Sequence, residues 1–215
     1  MHLKRNKVPK TWPVFRKGTK YVIRPSSNLK SGIPILVVIR EGLGIAQNRK
    51  EVKRAIHLKD ILLNGKPIND EKNAVTLFDK ITLIPSNKNY KMALSPLGKF
   101  IFEEIKEIEA GQKIAKIIDK KILKGKKVQL NLSDGRNFLS DIDCKVNDSV
   151  IVEFKKKKIT KCLPLKEKAN ILVFAGKHAG EKGIITKINN EKKMVELEAN
   201  EKKTNVLIKQ IIVTL

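Results

Sequence analysis

The sequence predicts an α+β, multidomain protein: a basic N-terminal extension over residues 1–40, a small helix-and-sheet domain over 41–92, a β-rich central domain over 93–168 and a C-terminal β domain over 169–215. Three observations predict it. The first forty residues carry ten lysines and arginines, and Glu41 is the first carboxylate. An amphipathic helix signalled by Asn48 leads into a strand, an Asn-Gly reversal and a further strand. Beyond about Ala93, apolar and polar residues alternate between glycine turns.

The charge balance narrows function before any motif does. Across 215 residues there are 46 basic side chains against 22 acidic ones, a formal net charge of +24 and a pI near 10.0. Such an excess repels itself in the free chain and is neutralised most simply by a polyanion. An anionic membrane is a poor partner. The apolar run from Ile33 to Ile39 is too short to span a bilayer, and no signal-peptide hydrophobic region follows the basic start. Pro9, Pro13 and Pro25 spoil the amphipathic helix of a transit peptide, so a cytoplasmic location is expected. Cys144 and Cys162 form no CxxC pair, and His2, His57 and His178 are scattered. The expectation is therefore no metal site, no catalytic residue, no cofactor and no small-molecule substrate.

The arm up to about Ser31 has prolines and glycines at short intervals and no sustained period, which predicts extended chain with one or two helical turns. Too few apolar residues for a core and ten unopposed cations predict that it is disordered when free and orders on RNA. Trp12, Phe15 and Tyr21 interleave with the cations, either to stack on bases or to pin the arm to the next domain. Pro34 suits the first turn of a helix reaching about Arg40, which "GLG" at 42–44 ends. Asn48 caps a second helix over Arg49 to His57. There Val52, Ala55 and Ile56 share one face, while Arg49, Lys50, Lys53 and Arg54 fall largely on the other. Replacing those four cations together by glutamine is expected to lower RNA affinity and spare the fold. A strand "ILL" follows, reversing at Asn64-Gly65 with Ile68 on the return, and "FDKITLIP" supplies another strand.

Arg40-Glu41, "LGIA" at 43–46, "NRKEVKRAI" at 48–56 and "ILLNGKPI" at 61–68 resemble the S-four RNA-binding module, or alpha-L motif, of ribosomal proteins and pseudouridine synthases. The resemblance implies two short helices forming a basic face on a small sheet that grips structured RNA. A rigid cationic helix pair suits A-form RNA, whose narrow major groove hides the bases and leaves phosphates and shape to be recognised.

From about Ala93 to Lys168 the reading is β. Val128, Leu130 and Leu132 alternate up to a reversal at Asp134-Gly135, and "VNDSVIVEF" is a further strand ended by the run Lys155 to Lys158. The segment "VFAGKHAGEKGII" at 173–185 raises the question of a phosphate-binding loop. Only three residues separate Gly176 from Gly180, Glu181 and Lys182 stand where Lys and Ser/Thr are required, and a β-branched run follows in place of a helix. The glycines instead predict a tight loop between strands with positive φ and close backbone approach. Gly176, Gly180, Gly183 and Ile184-Ile185 resemble the KOW motif, which implies an SH3-like barrel over 169–215.

The order arm, S-four module, β-rich middle and KOW segment is similar to the e-type family of small-subunit ribosomal protein four of archaea and eukaryotes. His2 to Arg5, Pro9, Trp12 and Arg24 to Ser26 match that family's opening, although "SNLKSG" replaces its usual Pro/Gly/His-rich continuation. The resemblance implies a structural constituent of the small ribosomal subunit, partnered by small-subunit ribosomal RNA and neighbouring ribosomal proteins. RNA-binding candidates on the arm are His2, Lys4, Arg5, Lys7, Lys10, Trp12, Arg16, Lys17 and Arg24. On the S-four module they are Arg40, Arg49, Lys50, Lys53, Arg54 and Lys66, and on the KOW loop Lys177, His178 and Lys182. Two alternatives are an S-four-bearing RNA-modifying enzyme, which needs a larger domain with a catalytic aspartate, and a KOW-containing transcription or translation factor, which has no need of an acid-free arm.

Overall fold

The computed structural model describes every residue except Met1, Asn28, Asp141, Asn190, Asn200, Glu201 and Leu215, together with all side chains but those of Lys126 and Lys202. The first residue of the arm and Asn28 of "SNLKSG" therefore lie outside the described residues. The fold is β-rich with few helices, and the chain divides into two compact units: residues 1–94 with 99–111, and 95–98 with 112–215.

In the first unit β1 (Leu3–Lys4) pairs antiparallel with β2 (Tyr21–Val22). The loop between them is wrapped on Arg5, whose Nε and Nη1 donate to the carbonyls of Thr19 and Phe15, each at 2.7 Å, and whose Nη2 donates to Thr19 Oγ1 at 2.9 Å. Leu3, Trp12 and Val22 are buried, Trp12 to 3% exposure, and the Phe100 N–H donates to the Thr11 carbonyl at 2.7 Å. This corrects the expectation of an arm without a core. One guanidinium binds two loop carbonyls and a hydroxyl at once, and three apolar side chains supply the buried area that composition alone understates. Trp12 emission is accordingly expected to be blue-shifted and shielded from iodide in the free protein; red-shifted, freely quenched emission would show the arm to be open.

β3 (Gly32–Pro34) leads into α1 (Ile35–Val37), which widens into a π turn over Val38–Gly42 and stops where "GLG" was expected to stop it. Every residue from Ile35 to Ile39 is buried. α2 spans Arg49–His57, with Val52 and Ile56 buried and its cations outside. The Glu51 carboxylate caps its first turn, accepting from the N–H groups of Gln47 at 2.8 Å and Asn48 at 3.3 Å, and these bonds hold its pKa below the ordinary value.

Six strands follow: β4 (Ile61–Leu63), β5 (Lys66–Pro67), β6 (Ala74–Thr76), β7 (Lys80–Leu83), β8 (Lys88–Leu94) and β9 (Phe100–Ile105). They make a sheet of order β5-β4-β7-β8-β9 and a separate β3-β6 pair, all antiparallel. The Asn64-Gly65 reversal has φ of 52° and 75°, the doubly positive pair that a tight hairpin requires. Buried Asn64 also donates to Asp79 at 2.8 Å and accepts from the Lys80 N–H at 3.0 Å, fixing the turn to the neighbouring strand. A short α3 (Glu107–Ala110) ends this unit.

The second unit carries two five-stranded antiparallel sheets. β10 (Gln112–Ile122), β11 (Val128–Leu132), β12 (Asn137–Leu139), β13 (Ser149–Glu153) and β14 (Lys158–Leu163) form one, in the order β12-β11-β10-β13-β14. The other contains β15 (Asn170–Val173), β16 (Lys182–Asn189), β17 (Met194–Ala199), β18 (Lys202–Leu207) and β19 (Ile211–Val213), in the order β18-β17-β16-β15-β19. β13 is apolar on both faces: Val150 and Val152 enter a core with Ile117, Leu130 and Cys144, while Ile151 joins Leu163 in the core of the second sheet. The 168/169 boundary drawn from the sequence falls between two sheets that share this second core.

Lys116 fastens the same junction. Its side chain is buried, and Nζ donates to the carbonyls of Ile208 and, at 3.0 Å, Ile211; nearby, the Val213 N–H donates to Ser149 Oγ at 2.9 Å. Burial pushes the Lys116 pKa down to about 8, and Lys80 in the first unit is lowered to about 8 by burial and then by Lys91. Between pH 8 and about 10.5 the unfolded chain therefore holds protons that the folded chain has released, so stability rises with pH through that window. Lys116 contributes on the order of 3 kcal/mol to the rise, and Lys80, less deeply enclosed, contributes less. In urea titrations from pH 7.5 to 10.5, Lys116→Met should remove its part of the increase, and an identical pH profile would refute the assignment.

Candidate nucleic-acid interface

On α2 the four predicted cations divide into two pairs by what they touch. Arg49 grips the buried Glu71 carboxylate through Nε, at 2.9 Å to both oxygens, and through Nη2. Lys53 stands at 3.9 Å from the same carboxylate. The guanidinium holds the Glu71 pKa below the ordinary carboxylate value, against the opposing effect of burial. Arg49 is half exposed, yet its head group is committed to a partner inside the protein. Lys50 and Arg54 make no ion pair among the described residues and are fully on the surface.

His57, passed over in the sequence as an isolated histidine, follows Lys50 and Arg54 at the i, i+4, i+7 spacing of one helix face and is exposed. The spacing was the signal that could have found it. The resulting stripe is Lys50, Arg54 and His57 with Lys53 at its flank, on a helix whose opposite face is anchored by Val52 and Ile56. Such a stripe presents positive charge in a fixed line, which suits phosphates spaced along a duplex.

Other predicted residues sort by the same test. His2, Lys4, Lys7, Lys10, Arg16, Lys17 and Arg24 are exposed on the folded arm. Arg5 and Trp12 are spent internally, one binding the loop carbonyls and the other buried. Arg40 is half-buried and donates to Glu41 at 2.6 Å, and Lys66 is exposed on β5.

In the second unit the glycine segment joins β15 to β16, so strand, loop and strand stand where a nucleotide site would need a helix. Gly176 and Gly180 have φ of +91° and +97°. A side chain at Gly183 would collide with the Glu198 carbonyl across the strand pair, so both reasons expected for these glycines operate. Lys177 and Lys182 are exposed, whereas His178 is partly covered and lies 2.9 Å from Glu181. Among the described residues no cluster of His, Cys, Asp or Glu could hold a metal ion, and no helix is long and apolar enough to cross a membrane.

Comparison with known proteins gives a consistent result. Residues 86–159 match the model described as Ribosomal family S4e, and residues 1–27 match the RS4NT (NUC023) domain. The chain is 37% identical over 190 residues to the small ribosomal subunit protein eS4 of Methanocella arvoryzae, covering 87% of this chain and 80% of that protein. It is also 37% identical over 191 residues to the protein of that name from Nanoarchaeum equitans, covering 87% and 82%. With that of Korarchaeum cryptofilum identity is 33% over 204 residues, covering 93% and 87%. The fold resembles the crystal structure of the 30S ribosomal protein S4e from Thermoplasma acidophilum, with a TM-score of 0.73 at 22% identity over 86% of this chain and 95% of that one.

Proposed function

The chain belongs to the family of small ribosomal subunit protein eS4, and from that premise we propose that it holds small-subunit ribosomal RNA against the cationic stripe of α2 and the exposed cations of the arm. As a member of that family it is a structural constituent of the small subunit of the cytoplasmic ribosome and acts in translation; it is not an enzyme. The observation that carries the RNA reading is the Lys50, Arg54 and His57 line, exposed and fixed on a capped helix in a chain of net charge +24.

We read residues 41–92 as the S-four-like RNA-binding domain and 169–215 as the KOW barrel. The helix, strand and Asn-Gly succession supports the first reading, and the β15-loop-β16 glycines support the second. Lys177 and Lys182 are placed to lean on a phosphate backbone, and neighbouring ribosomal proteins are the further partners. Each neutralised phosphate releases counterions. Log affinity for ribosomal RNA fragments is therefore expected to fall linearly with log[salt], with a slope of about −5 or steeper for six or more contacts. A slope near zero in fluorescence anisotropy titrations from 50 to 300 mM salt would overturn the reading.

A further inference from the structure

β9 forms one edge of the first unit's sheet, and its outward backbone groups can be identified. The Phe100 N–H points away from β8, since it donates to the Thr11 carbonyl. Alternation along an antiparallel pair places the N–H and C=O groups of Phe102 and Glu104 on that same outer side. The partner strand agrees. Met92, directly opposite Phe102, turns its own groups the other way, donating to the Asp79 carbonyl at 3.0 Å and accepting from the Phe78 N–H at 2.9 Å. Thr11 thus covers the first position of the edge, and among the described residues no backbone group meets Phe102 or Glu104 beyond it.

The side chains around this open edge reverse the charge of the molecule. Residues 100–110 read "FIFEEIKEIEA", four carboxylates to one lysine in a chain of net charge +24. Among the described residues Glu104 has only an exposed contact with Lys88 at 3.8 Å, and Glu103 lies across the strands from Lys91 and then Lys80. Ile108 on α3 is 86% exposed, and Ile101 on β9 itself is partly exposed. The opposite edge of the same sheet, β5, carries the exposed Lys66, and the edge strand β14 carries the exposed Lys158 and Lys161, a usual protection against strand addition. RNA is repelled from a strip of carboxylates, so a polycation suits it.

We propose that β9 is the docking edge for an extended, lysine- or arginine-bearing protein segment, which adds to the sheet by hydrogen bonding Phe102 and Glu104. Its cations meet the glutamates of the strand. This goes beyond the RNA reading and does not depend on it.

The test uses the full chain and a fluorescein-labelled heptapeptide, Lys-Val-Arg-Thr-Lys-Val-Arg, with Glu-Val-Glu-Thr-Glu-Val-Glu as control. The basic peptide should bind and slow amide hydrogen exchange at Phe102 and Glu104 by at least about tenfold at saturation. Glu104→Pro removes an outward N–H that no ladder bond uses and should weaken peptide binding at least about tenfold while leaving RNA affinity unchanged. Glu107→Lys, on an exposed position of α3, should weaken binding in the same direction without touching the strand. Equal binding of the two peptides, full affinity in either variant, or protection elsewhere than β9 would overturn the proposal. So would RNA protection of this edge, or a concentration-dependent dimer of the chain that Glu104→Pro abolishes.

Discussion

The double substitution Lys50→Gln, Arg54→Gln is expected to lower affinity for small-subunit ribosomal RNA fragments by about ten- to a hundredfold near physiological salt. The slope of log affinity against log[salt] should become shallower by about 1.5 to 2. Both side chains are exposed and free of ion pairs among the described residues, so their loss removes charge from the interface and no bond from the interior. The far-ultraviolet circular dichroism spectrum and urea midpoint should stay within error of the parent protein, because Val52 and Ile56 still anchor the helix. Unchanged RNA affinity in a variant with a native spectrum would show the stripe to be solvated surface only. His57→Gln should add a smaller loss, because the side chain stands in the same exposed line.

Arg49→Gln is expected to act on the fold instead. Glu71 is 4% exposed, and it would lose the guanidinium that makes most of its hydrogen bonds. Leaving a buried carboxylate with only Lys53 at 3.9 Å should cost about 1 to 3 kcal/mol, the lower end reflecting solvent access to the half-exposed arginine. The pH dependence follows from the lowered Glu71 pKa. The unfolded carboxyl titrates near 4.5 and the folded one lower, so the pair's stabilisation is complete above that pH and is lost as pH falls through the folded value. The parent protein should therefore lose stability on acidification more steeply than Arg49→Gln. Equal urea midpoints at pH 7, or parallel acid profiles, would refute the role. Substituting all four helix cations at once would merge this loss with the RNA effect, so the two substitutions must be read separately.

The division within α2 shows where the sequence was informative and where it was not. Its limits, its cap and its buried face followed from Asn48 and the spacing of Val52 and Ile56, because local geometry determines them. The commitment of Arg49 did not, since Glu71 lies 22 positions away and only the folded sheet brings the two together. The Asn-Gly hairpin and the glycine loop were legible because positive φ restricts residue choice. β10 was not, although it is the longest strand described: Lys113 and Lys116 are buried in it, and a register shift between Ile117 and Asp119 breaks the alternation. Lys113 is there for Asp134, at 3.2 Å in the turn between β11 and β12, another long-range partner that no local pattern announces. The arm was misjudged for the same reason, because one well-placed arginine and one tryptophan order more chain than their number suggests.

The two carbonyls that receive Lys116 lie 92 and 95 positions further along the chain. At about 5 to 20 residues per second, they are synthesised roughly 5 to 20 seconds after the lysine. Through that interval β13 can bury Val150 and Val152 with the strands already made, while Ile151 faces outward with nothing yet to cover it. The nascent second unit therefore passes through a stage with a finished sheet, one bare apolar side and an ammonium group beside it that only water solvates. Its quality control during synthesis turns on how quickly the last strands arrive, and a slow stretch of translation between residues 165 and 210 would prolong the stage at which the chain is most exposed to aggregation.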